Sequence, residues 1–225
     1  MRPDPSPETA ALLTIDVQCD FALPSSPAHI PGTLEAAQRI GPVADEFRAA
    51  NRPIVHMVRL YLPDGSNAEL PRRAYLAAGN QLVCPGTTGA ELLDELKPFP
   101  GFSLDADLLL SGEPQKAGAW EWVMFKPRWG AFYGTTLEDR FRALDVGTVV
   151  VCGCNFPNCP RTTIYEASER DFQIVFVPDA TSGVYERGLR ELRSIGVLVL
   201  DADECLSWLG RQGANRQPEP TWKRG

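Results

Sequence analysis

Three side chains whose types combine in acyl transfer stand at similar places in the sequence: Asp16, Lys126 and Cys159. A thiolate can attack a carbonyl carbon, a carboxylate can take up and return the proton, and an ammonium can hold these negative charges together. Asp16 and Lys126 come directly after apolar runs, and Cys159 follows a short turn after another such run. The pattern makes these residues candidates for a nucleophile (Cys159), a proton carrier (Asp16) and their electrostatic partner (Lys126).

The start of a helix is the expected position of Cys159. Pro160 follows it, and proline is favoured at the first position of a helix. The positive end of the helix dipole and the free backbone N–H groups favour a thiolate, and Lys126 would favour it further. We therefore expect the pKa of Cys159 to lie below its ordinary value, and we expect the same N–H groups to bind an oxyanion.

The proton carrier is expected to be a carboxylate rather than a histidine. The sequence has only 2 histidines, His29 and His56. His29 lies in a predicted loop and His56 in a predicted strand, so neither is placed to serve Cys159. Asp16 is the better candidate, and with Lys126 and the thiol it forms a cluster whose titrations are coupled.

Each of the three residues also has a purely structural explanation. A cysteine near a helix start commonly packs in the core, an aspartate after a strand commonly caps a turn, and a lysine there commonly carries a solvated charge. Their joint occurrence at strand ends is harder to explain by chance, because ligands bind at the carboxyl edge of open parallel sheets. From the pattern alone, the catalytic and structural explanations are evenly balanced.

The elements that must position these residues alternate between strands and helices. Apolar runs that predict strands occur at 10–15, 53–58, 120–125, 148–152, 173–177 and 197–200. Helical patterns lie near 33–50, 87–96, 135–144, 160–171, 185–195 and 202–210. This alternation predicts an α/β fold with right-handed crossovers and a mainly parallel sheet.

The remaining segments are expected to be loops or tails of a single domain that spans 1–225. The segment 60–119 is rich in proline and glycine, and it is predicted to hold one helix and loops that cover a pocket or contact another subunit. The tails at 1–8 and 211–225 are polar and are expected to be loosely held.

Composition argues against several functional classes. The 225 residues carry a net charge of −7, whereas proteins that bind nucleic acid usually show a basic surplus, so we expect no nucleic acid partner. No run approaches the roughly 18 apolar residues of a membrane span, and residues 1–8 lack the apolar core of a secretory signal. A cytoplasmic location without membrane association is therefore expected.

The 6 cysteines include no CxxC pair, which argues against a disulfide framework and a zinc site.

Three segments that contain the candidate residues resemble the isochorismatase-like cysteine hydrolase superfamily. Residues 13–21 end in DVQCDF, which is similar to the family's DxQxDF opening. Residues 126–132, KPRWGAF, are similar to its KxxxSAF segment, and residues 153–159, GCNFPNC, have the spacing of its GxxTxxC turn. Each motif is weak alone, but their order and spacing are specific. The resemblance extends over residues 10–200, nearly the whole chain.

The resemblance implies a three-layer αβα sandwich around a six-stranded, mainly parallel, Rossmann-like sheet, and it implies the catalytic triad Asp16, Lys126 and Cys159. It also implies a cis peptide bond between Cys154 and Asn155, and an oxyanion hole made by the backbone N–H groups of Asn155 and Cys159. We expect no cofactor, a small-molecule substrate and a homo-oligomer, either a dimer or a tetramer.

The chain departs from the family pattern at several positions. Phe156 stands where threonine is common, Gly130 replaces a common serine, and two prolines stiffen the turn before and after Cys159. The metal-binding nicotinamidase branch has an Asp-x-His pair after the second strand, whereas this chain reads HMVRLY at 56–61. No metal site is therefore expected, and His56 is expected to pack in the core.

The walls of the substrate pocket are predicted less directly. Phe21, Trp129 and Phe132 flank the triad residues in the sequence and are candidates for an apolar wall, with a place in the core as the alternative. Arg161, in the helix that starts at Cys159, either meets a substrate carboxylate or carries a solvated charge, and the second explanation is favoured.

The expected reaction is hydrolysis of a C–N bond of a small molecule, of the amide, lactam or carbamoyl type, through a thioester on Cys159. Two alternatives stay open. A vinyl-ether hydrolase of the isochorismatase type would not need the thiol. A non-catalytic binding or interaction protein of the same fold would bind a ligand without releasing ammonia or amine. A nucleotide-binding redox protein is disfavoured, because the turn after Gly153 lacks a G-x-G-x-x-G run.

Overall fold

The computed structural model describes residues 4–210, and a 7-stranded sheet runs through this part of the chain. The strands, in chain order, are β1 (Ala10–Ile15), β2 (Ile54–Val58), β3 (Gln115–Gly118), β4 (Glu121–Phe125), β5 (Thr148–Gly153), β6 (Gln173–Thr181) and β7 (Leu198–Val199). Their order across the sheet is β3-β4-β2-β1-β5-β6-β7, and every neighbouring pair is parallel except β3 with β4. The predicted mainly parallel sheet is confirmed, with β1 at its centre.

Helices cover both faces of this sheet. They are α1 (Cys19–Ala22), α2 (Thr33–Ala49), α3 (Leu70–Ala77), α4 (Ala106–Leu110), α5 (Leu137–Ala143), α6 (Cys159–Ser168), α7 (Glu186–Ser194) and α8 (Ala202–Leu209). Apolar residues of α2 and α8 pack on one face, and apolar residues of α5, α6 and α7 pack on the other. The predicted α/β fold with helices on both sides of the sheet is therefore confirmed.

The central strand β1 shows how the two helical layers fix the site. All of its residues are buried, as expected for a parallel strand between two layers of helices. Leu12 packs in the same apolar cluster as Ile40 of α2, whereas Leu13 packs in the cluster of Phe141 of α5. Burying each leucine stabilises the fold by about 1.5–3 kcal/mol. The strand that carries Asp16 at its end is therefore held firmly from both sides.

The strand β3 is the difference between the observed sheet and the six predicted strands. Its residues Gln115–Gly118 do not form an apolar run, and only Ala117 among them is buried. Antiparallel pairing with β4 at the edge of the sheet holds it in place. The segment 60–119 therefore contains α3, α4 and a strand rather than one helix and loops.

The helix predicted near 87–96 is wrong. The segment forms two short 3-10 helices with extended chain between them. Its backbone hydrogen bonds go to the residues after β1 instead: Cys19 N–H donates to Glu91 O at 2.9 Å, and Leu93 N–H donates to Val17 O at 3.2 Å. These bonds replace those of a continuous helix and fix the segment against the end of β1.

Part of the N-terminal tail is attached to the sheet. Ser6 N–H donates to Oγ1 of Thr148 in β5 at 3.0 Å, and Pro7–Thr9 form a 3-10 turn. The prediction of a loosely held tail is therefore wrong for the residues that follow Ser6. Residues 1–3 and the predicted tail at 211–225 lie outside the described residues.

Candidate active site

Asp16 directly follows β1 and has a left-handed backbone conformation, with a φ of 53°. Aspartate enters this region more readily than most residues. Its N–H still donates to Met57 O of β2 at 2.9 Å, so the chain leaves the sheet only after Asp16. The side chain is buried at the carboxyl edge of the sheet, where the sequence pattern predicts it.

Lys126 directly follows β4, and its long side chain is fully buried. Its backbone N–H donates to Val58 O at the end of β2, at 3.0 Å. The Nζ atom lies 2.8 Å from Oδ2 of Asp16 and also donates to Arg128 O at 3.3 Å. The structure thus brings the predicted carboxylate and ammonium together as a buried ion pair.

Cys159 is the first residue of α6 and is partly buried. Burial and the negative charge of Asp16 raise the pKa of its thiol to about 12, and they outweigh the opposing effect of Lys126. The expectation of a lowered pKa is therefore wrong. The reason is that removing a thiolate from water and placing it beside a carboxylate has a free-energy cost, and this cost exceeds the stabilisation that the helix terminus gives to the thiolate. In the resting protein the sulfur carries its proton.

One oxygen of Asp16 remains available for that proton. Lys126 engages Oδ2, whereas Oδ1 is buried and has no hydrogen-bond partner in the described part of the chain. Leaving a buried acceptor unpaired costs about 1–3 kcal/mol, and more when the acceptor is charged. An unpaired carboxylate oxygen next to a thiol is suited to accept the thiol proton when the sulfur attacks.

The turn from β5 to α6 forms the floor of the site and requires glycine at its start. Gly153 has a φ of 121°, and a Cβ atom there would lie 2.3 Å from Ile15 O. Cys154 N–H donates to that same oxygen at 2.7 Å, and Phe156 N–H donates to Ser182 O at 2.8 Å. Backbone hydrogen bonds therefore fix the turn against β1 and against the end of β6.

The peptide bond between Cys154 and Asn155 is trans, so the cis bond that the family resemblance implies is wrong. Before any residue other than proline, the trans form is favoured by about 3–4 kcal/mol. The change of chain direction is made instead by Gly153 and by Asn158, which has a φ of −115° and a ψ of −98°.

Two backbone N–H groups of this turn are free. Those of Asn155 and Cys159 donate to no acceptor within residues 4–210, whereas the N–H of Phe156 donates to Ser182 O and that of Asn158 to Asn155 O. Asn155 and Cys159 also line the same pocket. They are the two donors that the sequence resemblance implies, and both are available to a ligand oxygen.

The pocket beside the thiol is small, with a volume of about 40 Å³. Asp16 and Cys159 line it together with Phe21 and Trp129, two of the aromatic residues predicted there. Phe21 is buried, whereas Trp129 is 41% exposed. A cavity of this size has room for a small polar group such as a carboxamide, with the rest of a substrate nearer to solvent.

The third predicted aromatic residue, Phe132, is not in the pocket, so that prediction is wrong. Its ring stacks on Phe172 at a centroid distance of 5.7 Å and meets Phe141 edge-on at 6.3 Å, within the apolar core. Its backbone N–H donates to Oε2 of Glu166 in α6 at 2.9 Å. This bond fixes the loop against α6, on the face of the sheet where the core aromatic residues pack.

Arg161 is absent from the pocket lining as well. Its guanidinium forms an ion pair with Glu191 of α7 and donates to the hydroxyl of Tyr185. The favoured explanation of Arg161 as a helix charge therefore agrees with the structure, with the difference that this charge is paired.

Sequence reasoning misses a second charged pair in the same pocket. Arg59 is buried just after β2, where its NH1 donates to Lys126 O at 3.2 Å and its NH2 donates to Oε1 of Glu69 at 2.9 Å. The sequence could have indicated Arg59 as a site residue, because it lies just past a strand end as Asp16 and Lys126 do. The sequence could not have indicated Glu69 in this way, because it lies in a loop before α3.

Three donors converge on one oxygen of Glu69. Oε1 accepts hydrogen bonds from Arg59, from the Tyr61 hydroxyl at 2.7 Å and from the Trp129 indole N–H at 3.2 Å. Burial opposes ionisation of Glu69, but the Arg59 charge and the Tyr61 hydrogen bond outweigh it and hold its pKa below the usual value. Burial also raises the pKa of Tyr61. This side of the pocket is therefore a fixed polar network rather than an apolar wall.

Gln18, the glutamine of the DxQxDF segment, positions Arg59. Its side chain is fully buried; Nε2 donates to Arg59 O at 2.8 Å and to Ala90 O at 2.6 Å, and Oε1 accepts from Arg59 N–H at 2.8 Å. The amide thus joins the chain after β2 to the 87–96 segment.

His56 packs in the core, as predicted. One ring nitrogen contacts Oγ1 of Thr14 at 2.8 Å and the other contacts Oε1 of Glu121 at 2.8 Å. Glu121 is also bound by Arg48 of α2 at 2.7 Å. His29 is exposed, and neither histidine lines the pocket beside Cys159.

Within residues 4–210, no helix combines the length and the apolar character needed to cross a membrane. The same residues contain no group of three or more His, Cys, Asp or Glu side chains placed to hold a metal ion.

Known proteins resemble this chain over most of its length. A solved isochorismatase family protein from Desulfovibrio vulgaris is 32% identical with a TM-score of 0.76, and the match covers 90% of this chain and 99% of that one. A ureidoacrylate amidohydrolase of Methylobacterium radiotolerans is 28% identical over 201 residues, which are 80% of this chain and 70% of the relative. A probable inactive nicotinamidase of Arabidopsis thaliana is 26% identical over 193 residues, which are 83% of this chain and 89% of the relative.

The family model described as the isochorismatase domain matches residues 10–204. This range contains the ion pair, the thiol and the turn between β5 and α6. The sheet order and the motifs agree with that match, and we conclude that the chain belongs to the isochorismatase family, a family of hydrolases.

Proposed function

We propose that this protein is a metal-independent cysteine hydrolase that cleaves a C–N bond of a small molecule. The observation that carries the proposal is the unpaired Oδ1 of Asp16 in the same pocket as the Cys159 thiol, with Lys126 bound to the other carboxylate oxygen. Here one carboxylate oxygen is left without a partner in a pocket that also holds a thiol.

The first half of the reaction transfers an acyl group to sulfur. As the sulfur of Cys159 attacks the substrate carbonyl carbon, its proton passes to Oδ1 of Asp16, and the carbonyl π electrons move to oxygen. The free N–H groups of Asn155 and Cys159 bind this oxyanion. When the intermediate collapses, the C–N bond breaks, Asp16 gives the proton to the departing nitrogen, and a thioester remains.

The second half returns the enzyme to its resting state. A water molecule attacks the thioester carbonyl while Oδ1 of Asp16 takes a proton from it. The C–S bond then breaks, and the proton returns to the sulfur of Cys159. The products are a carboxylic acid, or a carbamic acid in the case of a carbamoyl substrate, together with ammonia or an amine. Asp16 thus carries two protons in turn: the thiol proton goes to the departing nitrogen, and a proton of the water goes to the sulfur.

Lys126 supports these steps without exchanging a proton. Its ammonium holds Oδ2, which keeps Oδ1 turned towards the thiol. It also lowers the pKa of Cys159, which is high in the resting state, so negative charge on sulfur costs less free energy during attack. Each oxyanion donor of the kind assigned to Asn155 and Cys159 is typically worth about 2.7–4 kcal/mol in the transition state.

The name of one relative supports a C–N bond as the target, since a ureidoacrylate amidohydrolase is an amidohydrolase. The vinyl-ether hydrolase alternative explains neither the unpaired Oδ1 nor its placement beside a thiol. The non-catalytic alternative has a relative described as a probable inactive nicotinamidase, but ligand binding alone does not explain an unpaired Asp16 oxygen in the same pocket as a thiol. A cytoplasmic location and a homo-oligomeric state stay predictions.

The test is a screen of small amides, lactams and carbamoyl compounds that measures release of ammonia or amine. We expect turnover by the native protein and its loss in Cys159→Ala and Cys159→Ser. Cys19→Ala is the matched control, because Cys19 is also partly buried but does not line the pocket. Release of ammonia or amine that survives Cys159→Ala would overturn the proposal. Trapping of the thioester by mass spectrometry of acid-quenched protein checks the intermediate directly.

A further inference from the structure

Glu69 has one carboxylate oxygen that the protein does not use. Oε1 accepts three hydrogen bonds, whereas Oε2 is buried without a partner in the described residues. The residue is only 8% exposed and lines the pocket of Cys159. The mechanism above assigns no step to Glu69, so this acceptor needs another explanation.

The charge on Glu69 is already balanced. The Arg59 guanidinium lies 2.9 Å from Oε1 and is itself buried, so the two form a neutral pair. A second cation is therefore not required at Oε2. What the oxygen lacks is a hydrogen-bond donor, and a neutral N–H group from a molecule in the pocket supplies one without adding charge.

Arg72 of α3 carries the unbalanced charge of the pocket. It lines the same cavity, is half-buried, and forms no ion pair or side-chain hydrogen bond within residues 4–210. The other charges of the lining cancel, since Asp16 pairs with Lys126 and Glu69 pairs with Arg59. The pocket as a whole is thus positive and attracts an anionic group.

We propose that Glu69 and Arg72 select the substrate: a small anion with an N–H group, outside the scissile bond, that donates to Oε2 of Glu69 while its anionic group binds Arg72. This selection deepens the proposed hydrolase function and rests on it, because Cys159 at the floor of the pocket defines where the scissile carbonyl lies. Glu69 is a specificity-determining residue in this scheme and takes no part in proton transfer.

Glu69→Gln isolates the role of Oε2. The three donors to Oε1 keep the amide oxygen of the glutamine in place, so the NH2 group takes the position of Oε2. The substitution turns an acceptor into a donor with almost no change of shape. It should weaken binding of molecules that offer an N–H at this point and leave molecules without one almost unaffected.

The experiment measures Kd by calorimetry in the Cys159→Ala background, so that binding is read without turnover. The probes are N-carbamoylglycine, which has the N–H and the carboxylate; succinamic acid, in which CH2 replaces the N–H; and N-isobutylurea, in which an isopropyl group replaces the carboxylate. We expect Glu69→Gln to raise the Kd of N-carbamoylglycine about 10- to 100-fold, and that of succinamic acid less than about 3-fold.

Arg72→Met tests the other contact. We expect it to weaken both carboxylate probes by about 5-fold or more and to leave N-isobutylurea unchanged. Arg73→Met is the matched control, since Arg73 is the next residue of α3 but does not line the pocket. The control should leave every Kd unchanged.

Equal effects of Glu69→Gln on N-carbamoylglycine and succinamic acid would overturn the proposal, because a structural role does not depend on one N–H of the probe. Failure of N-carbamoylglycine to bind at millimolar concentration would overturn it as well. Neither result depends on catalysis. Failure of the hydrolase function shows separately, as absence of any turnover that depends on Cys159.

Discussion

The Nζ atom of Lys126 lies 2.8 Å from Oδ2 of Asp16, although the strands that carry these residues are not neighbours in the sheet. The strand β2 separates β1 from β4, and the long lysine side chain spans it at the carboxyl edge of the sheet. Both side chains are buried, so each charge depends on the other. Loss of either partner would therefore leave an uncompensated buried charge, which destabilises the fold.

Removing the ammonium should leave a buried carboxylate without a partner. We expect Lys126→Met to abolish turnover and to lower the free energy of unfolding by about 3–5 kcal/mol, as measured by urea denaturation. The control is Lys97→Met, which removes the exposed ion pair with Asp94 (2.7 Å) and should cost about 1 kcal/mol or less. Similar losses in both variants would contradict a strongly coupled buried pair.

The pKa of Cys159 sets the pH dependence of its alkylation. Because burial and Asp16 raise this pKa to about 12, the thiolate fraction is low at neutral pH and grows about tenfold per pH unit. Iodoacetamide labelling mapped to Cys159 should therefore be slow at pH 7 and should still accelerate between about pH 9 and 11. A plateau below pH 8 would show a thiolate in the resting protein and would contradict the assignment of Asp16 as acceptor.

The direction in which Asp16 shifts the pKa of Cys159 can be tested separately. Asp16→Asn removes the negative charge that raises the pKa of Cys159, so the variant should be alkylated faster than the native protein at pH 8 although its turnover is lost. Asp107→Asn, at an exposed carboxylate of α4, should not change the rate. Slower alkylation of Asp16→Asn would mean that the carboxylate favours the thiolate.

The positions of Asp16, Lys126 and Cys159 in the fold could be predicted from the sequence because strand ends are easy to locate. Apolar runs mark β1, β4 and β5, and their parallel pairing brings Asp16, Lys126 and the turn before Cys159 to one edge of the sheet. Residues that follow these strand ends in the sequence are therefore close together in the fold. The ionisation of Cys159 could not be predicted in this way, because it depends on how completely neighbouring chain excludes water from the sulfur.

The polar wall of the pocket was beyond sequence reasoning for a different reason. Glu69 lies in a long excursion whose path is set by tertiary hydrogen bonds, such as those that Gln18 makes to Arg59 and Ala90. No periodic pattern reports such contacts. The misplacement of Phe132 has a similar origin, since closeness to Lys126 in sequence does not reveal on which side of the loop a ring lies.

Gly153 should tolerate no side chain. In Gly153→Ala the new Cβ atom would meet Ile15 O at 2.3 Å, and alanine would be held at a φ of 121°. Backbone strain of this kind costs about 1–3 kcal/mol, and the clash with β1 adds to it while displacing the turn that carries the Asn155 N–H. We expect loss of stability by thermal unfolding together with a fall in kcat. Gly112→Ala, which has a φ of 88° but no atom near its Cβ, should show a smaller loss of stability and normal kcat.

Substitutions of Trp129 and Phe132 should have different effects: the first should change substrate binding and the second should change stability. Trp129 is partly exposed at the pocket and donates to Glu69, so Trp129→Phe should raise KM with little change in the free energy of unfolding. Phe132 stacks on Phe172 in the core, so Phe132→Ala should cost about 3–5 kcal/mol in urea denaturation, while the protein that remains folded keeps a native KM. If Phe132→Ala instead raised KM at unchanged stability, the ring would have to line the pocket after all. If Trp129→Phe had a native KM, the indole would not contact the substrate, and the prediction for Trp129 would be wrong.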